Sequence, residues 1–204
     1  YSVTGLTAYV ALVERGRLQA GETLLVHGAS GGTGMAAVQL GRHLGARVMA
    51  TWRSADKLEA VRAAGAHDCL QIGPQLRDEV MQLTQGRGVD MVFDPIGGDL
   101  FDASLRTLGW GGRMLVIGFV SGRAAQVRSN YVLIKGLSVI GVRAGEETRR
   151  HPERGAQMRA EVDALAAQGV LRPPISHRFA LAEGRQALET LARGEAVGKI
   201  VVLM

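Results

Sequence analysis

Short apolar runs alternate with amphipathic stretches along most of this chain, and the alternation sets the expected elements. The runs Thr23-Leu24-Leu25-Val26-His27, Arg47-Val48-Met49-Ala50-Thr51, His67 to Ile72, Met91-Val92-Phe93-Asp94, Arg113 to Ile117 and Leu137 to Val142 are β-favouring and bounded by turn residues. Each predicts a buried strand. Between them, Met35 to Leu44, Lys57 to Ala64, Gln75 to Gln85 and Phe101 to Leu108 read as helices, ended at Gly45, Gly65 and Gly86 in the first three cases. Thr7 to Leu12 reads as a helix ahead of the first strand. Strands alternating with helices predict an α/β fold, a doubly wound parallel sheet of the Rossmann type. In such a sheet the loops after the strands share one rim, where ligands bind. Those loops are 28–34, 53–57, 94–97, 118–121 and 142–143. The rhythm then changes. Pro152 to Gln168 is a long helix ended by Gly169, Pro173-Pro174 breaks the chain, and a β-α-β tail follows at Ile175 to Leu181, Glu183 to Arg193 and Lys199 to Leu203. We divide the chain into a nucleotide-binding unit, 1–170, and a C-terminal segment, 171–204.

The turn Gly28-Ala29-Ser30-Gly31-Gly32-Thr33-Gly34 lies between the first strand and its helix. Ala29-x-Gly31-x-x-Gly34 fits the dinucleotide-binding fingerprint, and strand, turn, helix is the context that makes the fit credible. Glycines let backbone N–H groups approach a pyrophosphate closely, and the helix N-terminus adds donors and partial positive charge. The second strand ends in Thr51-Trp52-Arg53-Ser54-Ala55-Asp56-Lys57. No acid stands at the strand tip to take a ribose 2′-OH. Arg53, Ser54 and Lys57 instead stand where a 2′-phosphate would lie, with Asp56 expected to point away. This predicts NADPH as cofactor. The alternative is that Arg53 and Lys57 are solvated residues at a helix start and that the turn is structural.

Composition narrows the classes. The chain has 204 residues and a net charge of +5, from 24 Lys and Arg against 19 Asp and Glu, with the basic residues mostly single and spread. That favours an anionic small ligand over nucleic acid. The single cysteine, Cys69, rules out an internal disulfide and a Cys-cluster zinc site. No apolar run is long enough to span a bilayer, and with no signal peptide a cytoplasmic location is expected. The sequence opens in mid-helix without Met, as a piece of a longer protein would. His27 reads as a core or rim histidine. Asp94 reads either as a ribose contact through water or as a loop cap. Tyr131-x-x-x-Lys135, with the glycine spacing 28, 32, 34, matches the short-chain dehydrogenases. That pair needs a helix, however, and the β-branched surroundings predict none, so Tyr131 is expected to pack and Lys135 to lie at the surface.

Gly5-Leu6-Thr7-Ala8-Tyr9, Val26-His27-Gly28-Ala29-Ser30-Gly31-Gly32, Ala37-Val38-Gln39-Leu40, Gly88 to Asp94 with Ile96-Gly97-Gly98, Gly111-Gly112-Arg113, Gly118-Phe119 and Gly198-Lys199 together resemble the medium-chain dehydrogenase/reductase superfamily, in its zinc-independent quinone oxidoreductase branch. The resemblance covers essentially the whole chain. It implies a missing N-terminal catalytic domain resembling the GroES fold, onto which the C-terminal segment would return. It implies hydride transfer from NADPH to a quinone or an α,β-unsaturated carbonyl, with no catalytic side chain and no metal ligand assigned here. It places Ser30, Gly31, Gly32 and Thr33 at the diphosphate, and Ser54 and Lys57 at the 2′-phosphate with Arg53. Gly97, Gly118, Phe119 and Val120 would flank the cofactor's centre, Val142 and Arg143 would lie near the nicotinamide, and Thr7 and Tyr9 would face the cleft. Ile72 stands where relatives often carry a Tyr, and Arg143 where they often carry an aromatic residue. A homodimer joined at the sixth strand is expected. The alternatives are an enoyl reductase of the acyl-CoA or polyketide type, and a nucleotide-binding module without turnover.

Overall fold

The computed structural model describes residues 2–53 and 55–204. Six strands form one parallel sheet: β1 (Thr23–Val26), β2 (Arg47–Trp52), β3 (Asp68–Gln71), β4 (Val89–Asp94), β5 (Leu108–Val116) and β6 (Ser138–Gly141). Their order is β3-β2-β1-β4-β5-β6, so the chain reverses direction across the sheet between β1 and β4. A crevice opens outside the strand ends at such a switch point. The central strands are apolar on both faces, as a sheet covered on both sides requires. Leu24, Leu25, Val26, Met91, Val92 and Phe93 are all fully buried. Each face carries its own core, one built on Leu24, Val26, Met35, Val48 and Phe93, the other on Leu25, Met49, Val92, Phe101 and Leu105.

The connecting helices are α2 (Gly32–His43), α3 (Ala55–Ala63), α4 (Leu76–Leu83) and α5 (Gly98–Leu105). Ahead of them, α1 (Ser2–Tyr9) passes directly into a π-helical turn at Val10–Arg15. α1 packs beside α8 (Pro152–Ala167). Tyr9 is drawn into that contact. Burial and a hydrogen bond to Glu161 of α8 push its phenol up to about 12. Tyr9, expected to face the cleft, is buried at this contact.

Three segments depart from the pattern read along the chain. β5 begins at Leu108, earlier than Arg113, with a register shift against β4 between Val89 and Met91. A short helix, α7 (Ala144–Arg150), follows β6 and holds Arg149 and Arg150 against Glu146. The third departure is a correction: Ser129–Lys135 is a helix, α6, ended by Gly136 in the left-handed conformation. Tyr131 and Lys135 thus share a helix after all, but at the wrong end of the sheet. Lys135 Nζ donates to the carbonyls of Arg106 (3.1 Å) and Leu108 (2.7 Å), where β5 begins. The glycine turn follows β1, at the opposite strand ends. Lys135 is half-buried rather than a plain surface residue, and burial lowers its ammonium pKa.

The tail forms a separate two-stranded parallel sheet, β7 (Ile175–Ala180) with β8 (Lys199–Leu203), bridged by a 3-10 turn at Leu181–Glu183 and α9 (Gly184–Ala192). Gly198, just ahead of β8, pairs with Gly31 of the glycine turn. Among the described residues no helix is long and apolar enough to cross a membrane.

Candidate nucleotide-binding cleft

The glycine turn is built by close approach. Its first intrahelical bond runs from Met35 N–H to Gly31 C=O at 2.8 Å. The amides of Gly32, Thr33 and Gly34 precede that bond, and such amides are the ones a helix offers to an outside acceptor. Gly34 lets α2 sit directly on the turn, since a Cβ there would lie 2.2 Å from the Gly28 carbonyl oxygen. Ser30 is fully buried, and its Oγ has no hydrogen-bond partner among the described residues. Its carbonyl accepts the N–H of Gly198 at 2.7 Å. That contact brings the next residue across the turn: a Cβ on Gly32 would meet Lys199 Nζ at 3.0 Å. A cation thus stands over the N-terminus of α2. Of this residue the sequence shows only the Gly198-Lys199 pair before the last strand.

A cleft of about 990 Å³ opens along the rim. Of the expected site residues it gathers Arg53, Lys57, Gly97 and Val120 into one lining, with Ile72 beside them. Ser54 lies outside the described residues, as does the side chain of Asp56. Lys57 Nζ donates to the carbonyl of Gly194 and, at 3.4 Å, to that of Ala196. Arg123 and Arg193 also line the cleft, paired with Asp99 and Glu195. Neither arginine stands out in the sequence, because each reaches the cleft through a loop distant from the fingerprint. A smaller hollow of about 520 Å³ lies away from the rim, lined by Gln39, Arg42 and Arg172.

The loops after β4 and β5 are locked together. Asp94 is 1% exposed, and its carboxylate accepts the N–H groups of Ile96 (2.8 Å) and Gly97 (3.1 Å). Burial raises its pKa, and those two amides oppose the rise. Asp94 is a loop cap. The capped loop accepts Val120 N–H on Pro95 C=O (3.1 Å) and Ser121 N–H on Ile96 C=O (3.0 Å). Gly97, at φ 72°, leaves room for the Phe119 ring, which a Cβ would meet at 3.0 Å. Gly118 follows β5 after Ile117, and Phe119 and Val120 are exposed. Val142 and Arg143 follow β6. Val142 is buried with its N–H on Val116 C=O at 2.9 Å, and Arg143 is exposed at the start of α7; neither lines the cleft.

His27 lies beneath the turn and is fully buried. Its Nδ1 is 2.7 Å from Thr51 Oγ1 and its Nε2 2.6 Å from Ser104 Oγ. Ser104 donates its own proton to Leu100 C=O at 2.6 Å, so it accepts from Nε2–H. Nδ1 then accepts from Thr51. The neutral ring ties β1 to β2 and α5, and burial pushes its pKa down to about 3.

Residues 32–162 match the model of a family described as zinc-binding dehydrogenase. The chain belongs to that family, within the medium-chain dehydrogenase/reductase superfamily. It is 32% identical over 202 residues to quinone oxidoreductase-like protein 2 homolog from Nematostella vectensis, covering 96% of this chain and 54% of that protein. It is 38% identical over 203 residues to the spectinabilin polyketide synthase system protein NorB from Streptomyces orinoci, covering 99% of this chain and 9% of that protein. It also superposes on mycobacterial Rv1454c complexed with NADPH, with TM-score 0.92 and 29% identity, over all of this chain and 63% of that one. The chain therefore spans about half of the first relative and a small part of the second. The family description names zinc, but among the described residues no group of three or more His, Cys, Asp or Glu side chains is placed to hold a metal ion.

Proposed function

We propose that this chain is the NADPH-binding half of a reductase acting on a quinone or an α,β-unsaturated carbonyl. The observation that carries the reading is the arrangement of charge: Lys199 over the N-terminus of α2 beside the glycine turn, and Arg53, Lys57 and Arg193 lining the cleft alongside. The spare Ser30 Oγ and the amides of Gly32 and Thr33 that precede the first intrahelical bond fit a phosphate-bearing ligand at the turn. In this reading Ser30, Gly31, Gly32 and Thr33, with Lys199, hold the diphosphate. Arg53 and Lys57, with Ser54, hold the 2′-phosphate. Gly97, Gly118, Phe119 and Val120 flank the dinucleotide's centre, and Val142 and Arg143 lie toward the nicotinamide. The bound cofactor supplies the hydride, and the protein's part is to fix its position.

Calorimetric titration tests this. NADPH is expected to bind roughly tenfold or more tightly than NADH, the worth of one or two charge-assisted hydrogen bonds. Lys57→Ala and Arg53→Ala are expected to erase that preference while leaving NADH affinity unchanged. Equal affinities for the two cofactors in the unaltered protein would make Arg53 and Lys57 surface residues only.

The NorB relative favours a second substrate reading, an enoyl reductase of the polyketide type. Turnover of an enoyl thioester with none of any quinone, by the protein joined to its substrate domain, decides for it. NADPH binding with neither turnover decides for a module without catalysis.

We also propose a homodimer. β6 is a sheet edge, and Leu133 (81% exposed), Ile134 and Trp110 (82% exposed) lie on that flank, the Trp110 ring beside Gly136. Open edges and exposed apolar groups of this kind are covered in stable proteins. Light scattering is expected to give twice the chain mass; a monomer at high concentration removes the proposal.

A further inference from the structure

The chain returns from α8 to β7 through a strap that ends in Arg172, Pro173 and Pro174. Neither proline has a backbone N–H, so Arg172 carries the only donor of these three residues. Gln39 of α2 takes both backbone groups of Arg172. Its Oε1 accepts Arg172 N–H at 3.1 Å, and its Nε2 donates to Arg172 C=O at 2.9 Å. An N–H only donates and a C=O only accepts, so the pair fixes the amide's orientation. Arg172 is exposed, and water would satisfy the same two groups. What the side chain adds is direction. Burial of Leu171 (3% exposed) anchors the root of the strap, but apolar contact is non-directional. The two hydrogen bonds set which way the strap runs.

The far end of the strap reaches the glycine turn. Pro174 C=O accepts Lys199 N–H at 2.9 Å, and the neighbouring Gly198 N–H donates to Ser30 C=O at 2.7 Å. Gly198 is at φ 70°, and a Cβ on it would lie 2.3 Å from the Pro174 oxygen. Proline holds φ at about −65° and biases the residue before it to extended chain. Arg172-Pro173-Pro174 is therefore stiff, and a displacement at Arg172 carries to Pro174. Gln39 also lies on the helix whose first amides face the turn, roughly 10 Å along from Gly32 at about 1.5 Å per residue. One rigid helix thus sets the spacing between the pin at Gln39 and those amides.

Resting on the nucleotide reading above, we propose that Gln39 is a positioning residue for the diphosphate end of the cleft. Through the strap it sets Gly198 and Lys199 against the glycine turn and the first amides of α2. The diphosphate is common to both nicotinamide cofactors, so Gln39 acts on NADPH and NADH alike. Arg53 and Lys57, by contrast, act in that reading on the 2′-phosphate alone.

Calorimetry and amide hydrogen exchange on this chain test the assignment. Gln39→Met keeps the length of the side chain and removes both bonds. Gln39→Glu keeps its shape and puts an oxygen in place of the donor, facing the Arg172 carbonyl. Both are expected to weaken NADPH and NADH by the same factor, roughly tenfold, the worth of one charge-assisted hydrogen bond. Both are also expected to speed exchange of the Gly198 and Lys199 amides roughly tenfold or more, with the amides of Leu25 and Val92 in the central strands unchanged. His43→Ala, on the same helix and lining the same hollow as Gln39, is expected to change neither reading. Native affinity, or native exchange at Gly198 and Lys199, in a folded Gln39 variant overturns the inference. So does faster exchange that extends to Leu25 and Val92, which would make Gln39 a residue of the fold as a whole. An unaltered protein that binds neither cofactor overturns the nucleotide reading, and with it the claim on the diphosphate, while the exchange measurement still reports whether Gln39 holds the strap.

Discussion

Gly34→Ala is expected to lower affinity for NADPH and NADH alike by a hundredfold or more, and to cost about 2–3 kcal/mol of stability, in the upper range for overpacking. The added carbon would lie 2.2 Å from the Gly28 carbonyl oxygen, 2.7 Å from its carbon and 2.8 Å from Ala29 Cα. All three are backbone atoms, so no side-chain rotation relieves the contact. Either α2 lifts off β1 or the turn opens, and each outcome moves the amides of Gly32 and Thr33 away from a phosphate. Gly31→Ala is the control. A Cβ there meets only the Gly28 oxygen at 3.4 Å, and its backbone, at φ −79° and ψ 164°, is one any residue adopts. It is expected to fold with nearly native stability. Calorimetry and urea unfolding on both variants separate loss of the site from loss of the fold. Native nucleotide affinity in Gly34→Ala would mean that this turn is not the phosphate cradle.

Acid is expected to weaken the fold through His27. The folded ring has a pKa of about 3 against an ordinary 6.5, because burial disfavours its charged form. Below pH 6.5 the unfolded chain therefore binds a proton that the folded chain refuses. Stability attributable to this group falls as pH drops from about 6.5 and levels off near 3, where both states are protonated. Over that window the loss approaches about 4–5 kcal/mol. His27→Gln cannot take up the proton. It is expected to be less stable at pH 7, where the bonds to Thr51 and Ser104 are disturbed, but to lose stability more gently on acidification. Urea unfolding at several pH values between 7 and 4 measures both. Parallel declines in the two proteins would place the acid sensitivity elsewhere.

The strands, their parallel arrangement and the rim were legible in the sequence because each depends on local signals: a short apolar run, a glycine or polar break, then a helix. The glycine turn was legible for the same reason. Ser129–Lys135 was not. Val132 and Ile134 favour extended chain, and only tertiary partners, the carbonyls of Arg106 and Leu108 held by Lys135, make the helix. The surroundings of Tyr9 were illegible for a related reason, since Glu161, which helps raise its phenol, lies far along the chain. The cations that complete the cleft are the sharpest case. Lys57 and Gly194 are 137 positions apart, and nothing in either neighbourhood announces the other. Arg193 reads locally as a helix-ending arginine, a common place for one. Periodicity finds the frame of such a site, while the far side of the pocket is a matter of how the chain returns.

The strand order has a further meaning while the chain is being made. β1 is central in the finished sheet, flanked by β2 and β4. Synthesis delivers β2 and β3 soon after β1, but β4 arrives only at Val89–Asp94. During that interval the backbone of Leu24, Leu25 and Val26 has an unpaired side, open to any extended peptide nearby. The crevice at the switch point between β1 and β4, which later admits a ligand, is thus the seam where the nascent sheet stays unfinished longest on its β1 side. A ribosome pausing before Val89 is added would present that seam to chaperones or to neighbouring chains, and the site's architecture would be paid for in exposure time.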